Sequence, residues 1–235
     1  MSEHYLKTID GVSIFADWFP VENSTKVVLL LHQRGKDHTI WDNFRKTFHE
    51  KGWSTLAIDL RGHGKSEGFG KNHDVKFDQA DDYHSMMFDV SAACDFIKNT
   101  LVPESVEGSA ESYKLKAKSY KLVLIGSSIG ANLALAYAAD HFEVKAAVLL
   151  SPGLDYYGLR TDDVMIQYHR PLALFTAKDD PSYADAQKLI KLPGVQRPNL
   201  WYQEFDTGGH GMKLLEAHPE MMKKIAEWME KSCSV

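Results

Sequence analysis

Hydrophobic positions along this chain change period repeatedly, and the order of the changes predicts alternating strands and helices. Residues 12–19 alternate apolar and polar after the turn pair Asp10-Gly11, so they pair with residues 5–9 as a leading antiparallel hairpin. Residues 27–31 are uniformly apolar, the pattern of a central parallel strand covered on both faces. Helical spacing at Ile40, Trp41, Phe44 and Phe48 closes at Lys51-Gly52, where a glycine suits a helix end. Residues 53–58 read as a strand, and Met86, Met87, Val90, Ala93, Cys94 and Ile97 make one apolar stripe on a helix over 83–97. Residues 100–119 hold no apolar period and predict a surface insertion, at the sheet edge opposite the one where ligands bind in open α/β sheets. Strands at 122–125, 144–150, 171–177 and 200–205 follow, interleaved with helices after Gly130 and at 183–190, and one final helix spans 212–231.

Between the strand at 122–125 and the small-residue helix after it lies Gly126-Ser127-Ser128-Ile129-Gly130. A strand that turns this sharply into a helix strains its central residue, which requires flanking positions without side chains; glycines two before and two after Ser128 meet that need. The serine hydroxyl is thereby raised over the sheet edge at a helix start, where backbone N–H groups can receive negative charge. A nucleophilic serine needs a base and a carboxylate that orients the base. Two late strands end in suitable loops, one in Lys178-Asp179-Asp180-Pro181 and the other in Asp206-Thr207-Gly208-Gly209-His210-Gly211. His210 is the candidate base; Asp179 and Asp180 compete as its partner, with Asp155 a more distant candidate.

Four stretches in order carry a resemblance to the α/β-hydrolase family over nearly the whole chain: Leu29-Leu30-Leu31-His32-Gln33-Arg34-Gly35, Asp59-Leu60-Arg61-Gly62-His63-Gly64-Lys65-Ser66, the Ser128 turn, and the Asp180 and His210 loops. The resemblance implies an α/β fold with a mostly parallel central sheet of about eight strands and helices on both faces. It implies the triad Ser128, Asp180 and His210, because relatives place the acid three residues after a small residue that closes the strand, here Ala177. It implies an oxyanion hole in which Arg34 donates its backbone N–H beside that of Ile129, the residue after the nucleophile. The glycine-shaped Asp59 stretch is structural in this family. Relatives usually have glycine at Gln33 and often at Ala177; neither position bears a proton-transfer group, so these departures concern substrate fit.

The chain of 235 residues suits one domain. Only residues 151–170 separate two late strands, which leaves a short or absent cap and an open site bordered by Gln33, Trp41, Tyr156, Tyr157 and Tyr168 as candidate substrate contacts. With 27 Lys and Arg against 32 Asp and Glu, a net charge of −5 and scattered basic residues, nucleic acid and anionic membranes are not expected as main partners. No stretch reads as a secretory leader or membrane span, so the expectation is a soluble cytoplasmic protein of unspecified oligomeric state. Cys94 and Cys233 lack metal-like spacing and are expected as free thiols, and no histidine pair at metal spacing sits near carboxylates, so neither a metal nor another cofactor is expected. The function these features favour is hydrolysis of carboxylic esters with small or medium acyl chains through an acyl-enzyme. Lysophospholipid, monoacylglycerol or thioester hydrolysis would use the same triad, and a ligand-binding protein on a hydrolase fold is the alternative of another class.

Overall fold

The computed structural model describes residues 1–66, 83–101 and 120–233. Strands β1 (Ser2–Lys7) and β2 (Ser13–Phe19) form the expected hairpin, with Tyr5 opposite Phe15. The chain continues through β3 (Lys26–Leu31), a 3₁₀ turn at His38–Trp41, α1 (Asp42–Glu50), β4 (Ser54–Ile58), α2 (Met86–Leu101), β5 (Lys121–Ser127), α3 (Ile129–Asp140) and β6 (Val144–Leu150). A small hairpin, β7 (Asp155–Tyr156) and β8 (Leu159–Arg160), and α4 (Asp162–Gln167) fill the segment before β9 (Leu172–Ala177). The remainder is α5 (Tyr183–Ile190), β10 (Leu200–Phe205), α6 (Met212–Ala217) and α7 (Glu220–Ser232).

Eight of these strands make one sheet in the order β1-β2-β4-β3-β5-β6-β9-β10, antiparallel only where β2 meets β1 and β4. Alternation along each strand feeds two cores. Val27, Leu29 and Leu31 face the core shared with α2, α3 and α5, whereas Val28 and Leu30 face the one shared with α1, α6 and α7. From β3 the chain moves one way along the sheet, to β4; from β5 it moves the other way, to β6, β9 and β10. The loops after β3 and β5 are therefore neighbours that lead to helices on opposite faces, and such a switch point at the C-terminal sheet edge leaves a crevice.

Three expectations change. The final helix is two helices, because Pro219 has no N–H to continue the ladder and the chain turns at His218 before α7 begins. Helix α2 runs to Leu101, past its expected end at residue 97, and residues 102–119 of the expected insertion lie outside the described residues. Trp41 and Tyr168, expected at the site, are 0% and 1% exposed and belong to the two cores: Trp41 ends the 3₁₀ turn and packs with α1, α6 and α7, and Tyr168 follows α4 and packs with α3 and α5.

Two local devices hold the C-terminal edge together. At the β5–α3 turn, a Cβ on Gly126 would overlap the Gly130 carbonyl, and one on Gly130 would overlap the carbonyl of Leu31 and lie 2.7 Å from that of His32. Helix α3 thus starts against the backbone of β3. The second device is His32, fully buried, whose Nδ1–H donates to the Gln33 carbonyl at 2.9 Å while Nε2 accepts the Leu60 N–H at 2.9 Å, joining the loops after β3 and β4. Burial, reinforced by the nearby His63, lowers its pKa from 6.5 to about 4 and keeps it neutral. Asp59 closes the second loop: Oδ1 accepts the His38 N–H at 2.6 Å and Nδ1–H at 2.8 Å, and Oδ2 accepts the Lys65 N–H at 2.8 Å. Arg61, fully buried, ties this loop to Asp10 of the first hairpin at 2.6 Å and to Asp89 of α2 at 2.8 Å.

Gly130→Ala should destabilise the fold by about 3 kcal/mol in urea unfolding, because backbone rather than a movable side chain occupies the space of the new methyl. His32 takes up a proton in the unfolded chain below pH 6.5 but in the folded one only near 4, so its share of the stability is complete above 6.5 and lost as pH falls through 4. The urea-unfolding difference between wild type and His32→Gln should therefore shrink by about 3 kcal/mol across that window.

Candidate active site

Ser128 stands at the crevice with φ 56° and ψ −120°, a conformation that costs a non-glycine residue on the order of 1–3 kcal/mol. Its own N–H donates to the Leu150 carbonyl at 2.8 Å, so β6 holds the strained peptide in place. Ile129 is the first residue of α3, so its N–H is one of the donors that helix geometry leaves without an intrahelical partner. Arg34 follows β3 in a turn closed by Lys36 N–H on the Gln33 carbonyl at 3.2 Å, and its own N–H has no partner among the described residues.

The loops after β9 and β10 converge on the same point. His210 Nε2 lies 2.8 Å from Ser128 Oγ, and Nδ1 lies 2.8 Å from Asp180 Oδ1. A carboxylate at Nδ1 places the ring proton there and leaves Nε2 as the acceptor facing the serine hydroxyl. Asp180, 4% exposed, also accepts the Ser182 N–H at 2.7 Å and its hydroxyl at 2.8 Å. Burial alone would raise the Asp180 carboxyl, but donors from His210, Ser151 and Ser182 outweigh it and hold the group below its ordinary range. The other two acids are committed elsewhere: Asp179 accepts the Gly209 N–H at 2.9 Å and Asp155 the Gly158 N–H at 2.6 Å. Asp179 thus braces the histidine loop without touching the ring.

Residues that the motifs did not mark complete the arrangement. Ser151, buried at the end of β6 with φ 55°, accepts the Gly211 N–H at 2.7 Å and turns its hydroxyl toward the Asp180 carboxylate. Asn132, fully buried on α3, donates to the carbonyls of Gly153 and Leu159 and accepts the Gly153 N–H, clamping the segment between β6 and β9 onto the elbow helix. An amide within a run of alanines and leucines was its only sequence signal. Arg170, just before β9, caps the C-terminal carbonyls of α3.

The remaining candidate contacts separate. Gln33 is half-buried and its Oε1 accepts both the Ser127 hydroxyl and the Met212 N–H at 3.0 Å, so the group that replaces glycine joins three loops around the site. Tyr156 does reach the crevice: its hydroxyl donates to the Ser151 carbonyl at 3.2 Å and faces the Ser128 and Ser182 hydroxyls, and its ring meets that of His210 edge-on at 6.5 Å. Burial raises that phenol above its ordinary value and keeps it a donor. Tyr157 lies farther out, its hydroxyl accepting from Arg34 Nη1 at 2.5 Å. Among the described residues, metal-type donors group only at Asp37, His38 and Asp59, where the Asp59 oxygens already take N–H donors from His38 and Lys65. Cys94 and Cys233 are buried free thiols, and no described helix is long and apolar enough to cross a membrane.

Residues 22–178 match the family model described as serine aminopeptidase, S33. The AB hydrolase superfamily protein YisY of Bacillus subtilis (strain 168) is 25% identical over 198 residues, which is 79% of this chain and 60% of that protein, so the chain spans about three fifths of that relative. Among solved structures, the Pyrococcus furiosus esterase Pf2001 superposes with a TM-score of 0.76 at 18% identity, covering 99% of this chain and 91% of that one. The esterase EaEST of Exiguobacterium antarcticum gives 0.71 at 14% identity, covering 97% and 100%. These identities speak for the fold, while the family match takes in β3, the Asp59 loop, the elbow and β9 together; on that ground the chain belongs to the α/β-hydrolase family.

Proposed function

We propose that the chain is a serine hydrolase cleaving carboxylic esters of small or medium acyl chains. The observation that carries this reading is the unbroken path from Ser128 Oγ through His210 to Asp180, 2.8 Å at each step. Neutral His210 accepts the Ser128 proton as Oγ attacks the ester carbonyl, and Asp180 stabilises the resulting imidazolium. The tetrahedral oxyanion faces the N–H groups of Ile129 and Arg34, each worth about 3 kcal/mol to the transition state. The imidazolium then protonates the departing alkoxide, leaving an acyl-Ser128. In the second half His210 deprotonates a water that attacks the acyl carbonyl; the acid leaves and Ser128 recovers its proton.

Tyr156 presents an aromatic edge suited to an apolar acyl or aryl group. Two of the similar solved structures are named esterases, which agrees with this reading. Lysophospholipid, monoacylglycerol and thioester substrates would meet the same proton path.

Purified protein should hydrolyse p-nitrophenyl acetate, butyrate or octanoate with labelling of Ser128 by a fluorophosphonate. Ser128→Ala should lower kcat by on the order of 10⁴ to 10⁶ without lowering the melting temperature. Turnover unchanged in that variant would remove Ser128 from the chemistry, whereas no turnover of any ester by wild type would leave a binding protein on this fold as the better description. Asp180→Asn should lower kcat by about 10⁴, since an amide at Nδ1 selects the wrong tautomer. Asp179→Asn, which disturbs only a loop bond, should lower it less than tenfold, and the opposite ranking would reassign the acid.

A further inference from the structure

The turn of the β7–β8 hairpin is Tyr157-Gly158, with Tyr156 paired to Leu159 across it. Both central residues have positive φ, 55° and 89°, as a two-residue type I′ turn requires. Asparagine, aspartate and glycine tolerate the first position; a tyrosine is strained there, and a side chain held in such a conformation is over-determined by its contacts. Tyr157 makes three. Its ring stacks on Tyr83 at 4.2 Å and 11°. The Arg34 guanidinium lies 4.9 Å from the ring centre on the stem that also donates from Nη1 to the hydroxyl. The neighbouring Gly158 carbonyl lies 2.7 Å from His84 Nε2, so the turn is pinned to the segment that precedes α2.

The partner of this contact is what gives it meaning. Arg34 is the residue whose backbone N–H the hydrolase reading gives to the oxyanion, and the turn of Gln33, Arg34, Gly35 and Lys36 is exposed at the last three residues. Gln33 anchors the inner end of that turn through its Oε1; at the outer end the Arg34 side chain meets Tyr157. We propose, resting on the hydrolase reading above, that Tyr157 is a positioning residue that fixes the oxyanion donor of Arg34 by holding its guanidinium, so that the strained cap hairpin sets the rate of the chemical step rather than the affinity for substrate. Oxyanion donors act only when aimed within about 0.5 Å of the developing charge, and a fork held by a cation–π contact and a hydrogen bond restricts the peptide that bears it.

A double-mutant cycle on p-nitrophenyl butyrate hydrolysis tests the proposal, with Tyr157→Phe removing the hydroxyl, Arg34→Met removing the fork, and the two combined. Each single variant should lower kcat about tenfold with KM within twofold, and the double variant should be no slower than the slower single, because both break one link. Tyr157→Gly, which relieves the backbone strain, should lower kcat similarly while the melting temperature stays at or above the wild-type value; a merely structural tyrosine would lower both. Additive losses in the cycle, an unchanged kcat, a rise in KM alone, or a lowered melting temperature in Tyr157→Gly would each overturn the proposal. Wild type that fails to turn over esters would overturn the hydrolase reading and this inference together, whereas active wild type with any of those four results would overturn this inference alone.

Discussion

The arrangement depends on one close approach: the first turn of α3 lies against the backbone at the end of β3, with Gly130 in the space between. A side chain there would push the helix off the sheet, and Ser128 with it. The same approach brings the loops after β3 and β5 together at the place where strand order reverses, so that one loop presents Ser128 and the other Arg34. A strained serine at φ 56° persists because the Leu150 carbonyl holds its amide and the glycines leave it room. The elbow is thus a property of three strands, although only one carries it.

Around that point polar groups are bound in a chain rather than in pairs. Gln33 joins the loop after β3 to the elbow and to the histidine loop; Ser151 joins β6 to that loop and to Tyr156; Asn132 joins α3 to the cap. Buried polar groups paired in this way fix side-chain directions at little net cost, whereas any single loss strands a partner in a low-dielectric setting; Asp180 takes its bonds on Oδ1, and its buried Oδ2 has no hydrogen-bond partner among the described residues. The outcome is a histidine with one face committed to a carboxylate and the other free for the serine, which is the condition for proton transfer in both directions.

Much of this was legible in the linear chain because it rests on local constraints. The unbroken apolar runs at β3, β5, β6 and β9 announce strands covered on both faces, and glycines flanking Ser128 announce a turn that no other residue could make. What failed were inferences about aromatic and proline residues whose meaning is not local. Trp41 and Tyr168 are aromatic residues in loop segments as Tyr156 is, yet two are sealed in the cores and one faces the Ser128 hydroxyl. The helix expected over 212–231 kept its apolar spacing through Pro219, so periodicity concealed a break that hydrogen bonding imposes. Asn132 and Ser151 passed unmarked because their partners are carbonyls and amides distant in sequence.

By itself, the sequence determined the elements, the family they resemble and the residue types available for acyl transfer, since periodicity, glycine placement and side-chain chemistry are carried by short stretches. Only the tertiary structure decided which of two adjacent aspartates meets His210, that Arg34 reaches across to Tyr157, and that Gln33 ties loops together. Direction and distance between groups 30 to 179 positions apart are set by how strands register and loops cross at the sheet edge, and no local pattern encodes them.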